Sequence, residues 1–214
     1  MTDDQSVKRD TRAKGAYAGM ADTVYSMSFT TAALLNHKTI LVAQLFADVQ
    51  AWSLVRERVL DENLLQMRTV NTSKRIFNEI SSRLKQLTPE QTGMLLQGSH
   101  REQNYLLWLA FCKRYRFVYD FAVEVVYEQF SRLHMELSYD AYDVFFNNKA
   151  EWHAEVERSA PSTRKKQRQI VFKTMREAEL LTEQRQIIPA LLSPELTAVI
   201  RQDNPAHLAI YPIR

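Results

Sequence analysis

The sequence predicts an all-α fold: a compact helical protein with winged helix-turn-helix-like units and at most a short β-hairpin. Only four glycines and six prolines occur in 214 residues, so the chain carries few turn signals. Hydrophobic residues make up 45% and charged residues 25% of the sequence, which is typical of a globular protein. Apolar residues recur at helical spacing in several segments. The length is sufficient for one large or two small domains with a proper core.

Residues 1–22 are expected to form a mobile N-terminal tail, because charges interrupt them throughout and they lack the apolar core of a signal peptide. Residues 23–98 are predicted to form an N-terminal helical unit. The first part of this unit looks extended at 25–29, and two helices are expected at 31–48 and 52–63.

The same unit continues with a basic helix and a short helix. The basic helix is expected over 71–87, with Asn71 or Thr72 as its N-cap. The segment Thr88-Pro89-Glu90-Gln91 combines an N-cap residue, a first-turn proline and a glutamine three residues after the cap. It therefore predicts a helix that ends near Gly98.

Residues 99–137 are predicted to form the central aromatic core helices. A capping-box pattern at 99–102 starts this part, which continues as two helices or one bent helix. Apolar residues lie on nearly all sides of 106–111, which places this turn at the centre of the core. Nearby aromatic side chains could stack on unpaired bases, but we favour packing in the interior. The cations among these aromatics are Lys113, Arg114 and Arg116.

Residues 138–214 are predicted to form a C-terminal winged helix-turn-helix-like unit. Two short helices are expected at 138–146 and 149–159, followed by a second basic helix that Ser162 can cap. A β-prone segment at 186–189 and a closing helix follow. Two short helices, a longer basic helix and a strand-like return are the order of a winged helix-turn-helix. The N-terminal unit has the helices but no evident wing.

The two basic helices share one arrangement of side chains. In segments 71–87 and 162–178, an apolar stripe lies opposite a face that mixes cations with Asn, Gln and Ser and carries no acid. The candidate contact residues of the first helix are Lys74, Arg75, Asn78 and Lys85. Those of the second helix are Lys165, Lys166, Gln169, Lys173 and Arg176. Arg164 and Arg168 lie toward the packed flank of the second helix, within reach of phosphates at the rim.

This mixture of side chains is what a helix needs in a DNA major groove. Lys and Arg reach phosphates or guanine edges, and Asn and Gln can pair with adenine edges. We therefore predict a double-stranded DNA-binding protein with weak sequence preference. The net charge of +3 does not by itself indicate a polyanion partner, so the local clusters carry this inference.

Three alternatives stay open. The basic faces could be solvated surfaces of a protein-interaction scaffold, with their charges serving solubility. The partner could be RNA, which the aromatic segment favours. Acids distant in sequence could also assemble into a hydrolase.

The sequence contains no motif for catalysis, metal binding or nucleotide hydrolysis. Its five histidines are scattered without zinc-ligand spacing, and no Gly-rich phosphate loop occurs. The acid pairs Asp140/Asp143 and Glu124/Glu128 lie one helical turn apart, but we interpret them as solvated helix edges. We therefore expect a protein without enzymatic activity, metal or cofactor.

The single cysteine and the hydropathy indicate a cytoplasmic protein. Cys112 excludes an internal disulfide, and its apolar surroundings at 106–112 predict a buried thiol. No segment approaches the roughly 20 apolar residues that a membrane-spanning helix requires. We expect a location in the cytoplasm and no membrane partner.

Several blocks of the sequence also carry a family pattern. The most specific block is Asn63-Leu64-Leu65-Gln66-Met67-Arg68-Thr69. The other blocks are Tyr25-Ser26-Met27-Ser28-Phe29-Thr30, Ser73-Lys74-Arg75, Glu79-Ile80, Arg83-Leu84, Trp108-Leu109-Ala110, Arg176-Glu177-Ala178 and Ile188-Pro189. On these residues the chain resembles the BrxA family of the BREX phage-defence systems in bacteria.

The resemblance implies an all-helical cytoplasmic accessory protein without known catalytic residues. It further implies binding to DNA and joint action with a methyltransferase, an ATPase and other defence components. A likeness of this family to the antitermination factor NusB keeps RNA open as a partner. The family pattern implies a glycine after Glu177-Ala178, where a left-handed residue would stop the helix. This chain departs from the pattern, because Glu179 stands there.

Overall fold

The computed structural model describes residues 24–213, so the predicted mobile tail at 1–22 lies outside the described residues. The all-α prediction is confirmed, since the described residues form α-helices and no extended strand. The helices are α1 (Asn36–Val49), α2 (Trp52–Asp61), α3 (Val70–Leu84), α4 (Pro89–Gln97), α5 (His100–Arg114), α6 (Arg116–Phe121), α7 (Glu128–Ser131), α8 (Tyr139–Ala150), α9 (Ala154–Glu157), α10 (Pro161–Glu177) and α11 (Pro194–Asp203). A π-helix (Ala122–Tyr127) joins α6 to α7, and a 3₁₀ helix (Pro205–Ile210) follows α11.

Both predicted capping boxes are confirmed. The Thr88 side chain accepts a hydrogen bond from the main chain of Gln91, whose side chain accepts one from the main chain of Thr88. Ser99 and Glu102 make the same reciprocal pair at the start of α5. These bonds satisfy main-chain N–H groups that have no partner inside the helix.

The caps of the two basic helices differ from the prediction. Helix α3 starts earlier than expected, because the Thr69 hydroxyl accepts a hydrogen bond from the main-chain nitrogen of Thr72 at 3.2 Å. Helix α10 has no side-chain cap and begins with Pro161, whose fixed φ suits a first helical turn. The predictions that Asn71 or Thr72 caps the first basic helix and that Ser162 caps the second are therefore wrong.

Three other boundaries also differ from the prediction. Helix α1 begins at residue 36 rather than 31, because Leu35 has a left-handed φ of 56°. The helix expected at 149–159 is reduced to the four residues of α9, since α8 extends to Ala150. The β-prone segment at 186–189 makes only isolated bridges, between Gln186 and Glu136 and between Ile187 and Leu181.

Helix α5 lies at the centre of the core, as the sequence predicts. Residues 104–112 are buried, and the Trp108 indole donates a hydrogen bond to the carbonyl of Ile210 at 3.1 Å. The helix contacts α1, α3 and α4 on the N-terminal side and α10 on the C-terminal side. Aromatic residues around it, such as Phe117 and Phe121, are fully buried and pack edge to face with their neighbours. The favoured interpretation of the aromatics as interior residues is therefore confirmed.

The N-terminal segment, residues 24–35, contains no helix and connects both basic helices. Arg83 of α3 donates hydrogen bonds to the carbonyls of residues 32 and 33. From α10, Gln167 donates to the carbonyl of Met27 at 2.7 Å, and Glu177 accepts from the main-chain nitrogen of Leu34 at 2.8 Å. Side chains of both basic helices therefore hold one stretch of chain.

None of the helices in the described part of the chain is long and apolar enough to cross a membrane.

Candidate nucleic-acid interface

The first basic surface lies on α3 and comprises Lys74, Arg75, Asn78 and Lys85, with Arg114 from α5. Ile76 and Ile80 on the inner side of α3 are buried, which turns Lys74, Arg75 and Asn78 to solvent. Neither Lys74 nor Arg75 makes an ion pair with any described residue. Within the part of the chain that the structure describes, these two cations are therefore available to an external anion.

Arg114 was not among the contact residues that the sequence predicts for this surface. It lines a shallow concavity of about 410 Å³ together with Asn78, Lys85 and three other polar residues, Ser81, Ser82 and Gln86. No acid is among these lining residues. The sequence feature that could have indicated Arg114 is the pair Lys113-Arg114 in the last turn of α5. Cations are stabilised at the C-terminus of a helix by its dipole.

Lys85 has a second role on this surface. It stands at the C-cap of α3, and its Nζ lies 5.3 Å from the centroid of the Trp52 ring. A cation at this distance from an indole makes a cation–π interaction. Lys85 is exposed, and its ammonium group lies over this aromatic ring. No described acid makes an ion pair with it.

The second basic surface lies on α10 and comprises Lys165, Lys166, Gln169, Lys173 and Arg176. The first three of these side chains are exposed, and neither Lys165 nor Lys166 makes an ion pair within residues 24–213. The free cations of this surface therefore lie in the N-terminal half of α10.

The other two cations of the second basic surface have acidic neighbours. Lys173 Nζ lies 3.7 Å from Glu177 Oε1, and Arg176 Nε lies 3.3 Å from Glu183 Oε2. Glu177 is on the adjacent edge of α10, and Glu183 comes from the loop that follows it. These two carboxylates reduce the positive potential of the C-terminal half of the surface.

Arg164 and Arg168 are held against α8 by a shared acid. Arg164 donates from Nε to Asp143 Oδ1 at 3.2 Å and from Nη1 to Asn147 Oδ1 at 2.7 Å. Arg168 binds the other oxygen of the same carboxylate. The two guanidinium groups also lie over the rings of Phe146 and Tyr139, respectively. Both arginines therefore connect α10 to α8.

Three of the four paired acids bind basic side chains, and the cysteine is buried. Asp143 binds the two arginines, Glu124 Oε1 lies 2.7 Å from Lys149 Nζ, and Glu128 pairs with Arg132. Cys112 is buried, and desolvation raises the pKa of its thiol well above the ordinary value. Among the described residues, no three His, Cys, Asp or Glu side chains group closely enough to hold a metal ion.

Glu179 forms the left-handed residue after α10 that the family pattern assigns to a glycine. Its φ is 58°, and the Leu180 nitrogen donates to the carbonyl of Met175 at 2.9 Å. The Glu179 carboxylate accepts hydrogen bonds from Arg101 Nε at 3.3 Å and Asn104 Nδ2 at 3.2 Å. The helix therefore stops as the pattern implies, with contacts from α5 offsetting the strain of a side chain at positive φ.

Comparison with known proteins supports a family assignment. The model of the BrxA family matches residues 23–204. A curated relative, the BREX protein BrxA of Escherichia coli O9:H4 (strain HS), is 28% identical over 174 residues, which cover 79% of this chain and 80% of that protein.

A solved structure shares the fold. The crystal structure of an uncharacterized protein from Magnetospirillum magneticum superposes with a TM-score of 0.77 at 21% sequence identity. The similarity covers 89% of this chain and 100% of that one. Since the family model spans most of the sequence and the blocks around Asn63 to Thr69 lie within it, this chain belongs to the BrxA family.

Proposed function

We propose that the protein is a non-enzymatic accessory component of a BREX phage-defence system and that it binds double-stranded DNA through its two basic surfaces. Membership of the BrxA family supports the accessory role in phage defence. Other BREX proteins, such as the methyltransferase and the ATPase that the family resemblance implies, are its proposed protein partners.

One observation carries the proposal for DNA. Lys74, Arg75, Lys165 and Lys166 are exposed on two helices, and none of them makes an ion pair with a described residue. Unpaired cations on an exposed helix face cost little free energy in solution. When they neutralise phosphates, they release the counterions condensed on the DNA, and this release favours binding. Asn78 and Gln169 stand on the same faces and offer amide groups to base edges.

In this proposal the predicted contact residues do not contribute equally. Lys165, Lys166 and Gln169 carry the second basic surface in this proposal, while Lys173 and Arg176 contribute less because of Glu177 and Glu183. Arg164 and Arg168 contribute mainly by fixing α10 on α8.

A salt titration of DNA binding with paired variants tests the proposal. In fluorescence anisotropy with a 25-base-pair duplex, log K is expected to fall by about 0.9 per log unit of salt for each phosphate neutralised. Lys74→Ala/Arg75→Ala and Lys165→Ala/Lys166→Ala are each expected to reduce the salt slope by about 1.8. The matched control is Arg56→Ala/Arg201→Ala, which removes two exposed positive charges from α2 and α11, outside both basic surfaces.

The proposal is contradicted if the slope of log K against log salt concentration changes by the same amount in the control variant and in the surface variants. Competition by duplex RNA and by single strands at the same salt concentration distinguishes the RNA alternative. Absence of binding to every nucleic acid supports the protein-interaction scaffold instead.

A further inference from the structure

A second concave site lies beside the first basic surface but has a different character. This apolar pocket of about 450 Å³ lies between α1, the start of α2, the end of α3 and α4. Its walls include Phe46 of α1, Trp52 of α2, Leu87 after α3 and Leu96 of α4. Its volume lies within the range of small-molecule sites, and walls from four elements favour a compact ligand over a partner helix.

An aromatic pair forms one rigid wall of the pocket. The rings of Phe46 and Trp52 stack with their centroids 4.1 Å apart and an interplanar angle of 16°. Phe77 of α3 supports the Trp52 ring from the interior, with centroids 6.5 Å apart. The wall is therefore preorganised, and a flat apolar ligand could pack beside it without a rearrangement of the core.

The pocket carries one charge. Among the described residues that line it, Lys85 is the only one with an ionisable side chain, and no described acid pairs with it. Its Nζ lies 5.3 Å from the Trp52 ring centroid, so the ammonium group stands at the aromatic wall. An unpaired cation beside an apolar cavity favours a ligand that combines an apolar body with one negative charge.

Gly93 leaves open space where it lines the pocket. It lies in the interior of α4, where glycine is less favourable for a helix than alanine. A Cβ atom built at Gly93 would meet no other atom within 4 Å, so the packing of the fold does not require a glycine there. The missing side chain enlarges the pocket.

From these features we infer that the pocket binds a small apolar anion, an aromatic or medium-chain aliphatic carboxylate, with Lys85 as its counter-charge. The apolar body would contact Phe46, Trp52 and Leu96, and the carboxylate would meet the Lys85 ammonium group. The open space at Gly93 would admit the far end of the ligand.

Fluorine NMR of protein labelled with 5-fluorotryptophan tests this inference. The chain has three tryptophans, of which Trp52 lines the pocket, Trp108 is buried in the core and Trp152 is exposed elsewhere. The probe is 1-naphthoate, and its matched neutral control is 1-naphthamide. Naphthoate is expected to shift the Trp52 fluorine resonance until binding is saturated and to leave the Trp108 resonance unchanged. A shift of the Trp152 resonance would report nonspecific association.

Two variants test the proposed contacts. Lys85→Met keeps the pocket wall, and it is expected to remove the preference for naphthoate over naphthamide, about fivefold for one exposed charge contact. Gly93→Leu fills the pocket and is expected to weaken naphthoate binding at least about tenfold. Gly93→Ala is the matched control, which also raises helix propensity above that of glycine but leaves most of the space.

Three results would overturn the inference. They are a Trp52 resonance that moves no more than that of Trp152, equal affinity of the wild type for naphthoate and naphthamide, and unchanged binding by folded Gly93→Leu protein. The thermal unfolding midpoints of the Gly93 variants show whether they are folded, and both are expected to match or exceed the wild type.

Discussion

The carboxylate of Asp143 on α8 binds the guanidinium group of Arg168 on α10. Arg164, one helical turn earlier, binds the other oxygen of the same carboxylate. One acid therefore fixes two cations of the second basic helix, and it turns them toward the protein. Lys165 and Lys166, which lie between them in the sequence, are exposed and make no ion pair with a described residue.

Asp143→Ala is expected to destabilise the protein by about 1.5–3 kcal/mol, the worth of a hydrogen bond to a charged group, because both arginines lose this carboxylate although Arg164 keeps Asn147 as an acceptor. Urea unfolding measures the change. The control is Asp140→Ala on the same helix, since Asp140 is exposed and makes no ion pair with a described residue. Equal destabilisation by the two variants would show that Asp143 does not hold α10 in place.

Arg83→Ala is expected to cost about 3–5 kcal/mol, as typical for breaking a buried ion pair. Arg83 is buried with Glu79, whose Oε1 lies 2.7 Å away and also accepts a hydrogen bond from the Tyr115 hydroxyl at 2.6 Å. The loss of Arg83 leaves this carboxylate unpaired and releases the carbonyls of residues 32 and 33.

If the Arg83 variant fails to fold, Glu79→Gln/Arg83→Met still tests the pair, because it removes both buried charges and should recover part of the stability. Arg75→Ala on the exposed face of the same helix is the control, with an expected change within about 0.5 kcal/mol. A loss in Arg83→Ala no larger than this control would contradict the role of the buried pair.

At the end of α10, Glu179→Gly is expected to be more stable than Glu179→Ala by about 1 kcal/mol. Both substitutions remove the contacts with Arg101 and Asn104, so the difference between them isolates the strain at φ 58°. Thermal or urea unfolding of the two variants measures it. If alanine proves as stable as glycine, the chain does not hold a left-handed residue at this position.

Glu155→Gln tests the pH dependence of stability. A hydrogen bond from the main-chain nitrogen of Tyr25 lowers the pKa of Glu155 below its ordinary value of 4.5. Because the folded state holds the carboxylate charged, this contribution is present above about pH 4.5 and is lost as the pH falls through the folded-state pKa. Glu155→Gln should therefore lower the melting midpoint at pH 7, with the difference from wild type shrinking below pH 4.5.

Glu157→Gln is the matched control for this measurement. Glu157 is exposed on the same short helix and makes no ion pair with a described residue, so its replacement should change the midpoint little. A deficit of Glu155→Gln that stays constant from pH 7 to well below pH 4.5, where the carboxylate is protonated in the folded state too, would contradict the role of the charge.

Local signals made most of the fold predictable. The capping boxes at Thr88 and Ser99 mark helix starts correctly, because all their interactions lie within four residues. The apolar stripe of α3 and the apolar surroundings of Cys112 likewise identify buried residues from periodicity alone. The exposure of Lys74, Arg75, Lys165 and Lys166 follows from the same periodicity.

The remaining features depend on contacts between distant parts of the chain. Asp143 and Glu183 lie outside α10 in the sequence, so the helix pattern alone does not show that they bind Arg168 and Arg176. Similarly, side chains of α3 and α10 hold the N-terminal segment in a non-helical conformation. Its own sequence predicts a helix from residue 31, because these distant side chains do not show in the local pattern. Arg114 reaches the first basic surface only because α5 packs on α3.

The N-terminal segment leaves the ribosome long before several of the groups that hold it. Main-chain atoms of Tyr25, Met27 and Leu34 bind side chains that are synthesised 130, 140 and 143 residues later. The segment therefore cannot complete its docking until α10 has been synthesised, and contacts of such long sequence separation form slowly. On a nascent chain it stays accessible to chaperones and proteases until α10 has emerged.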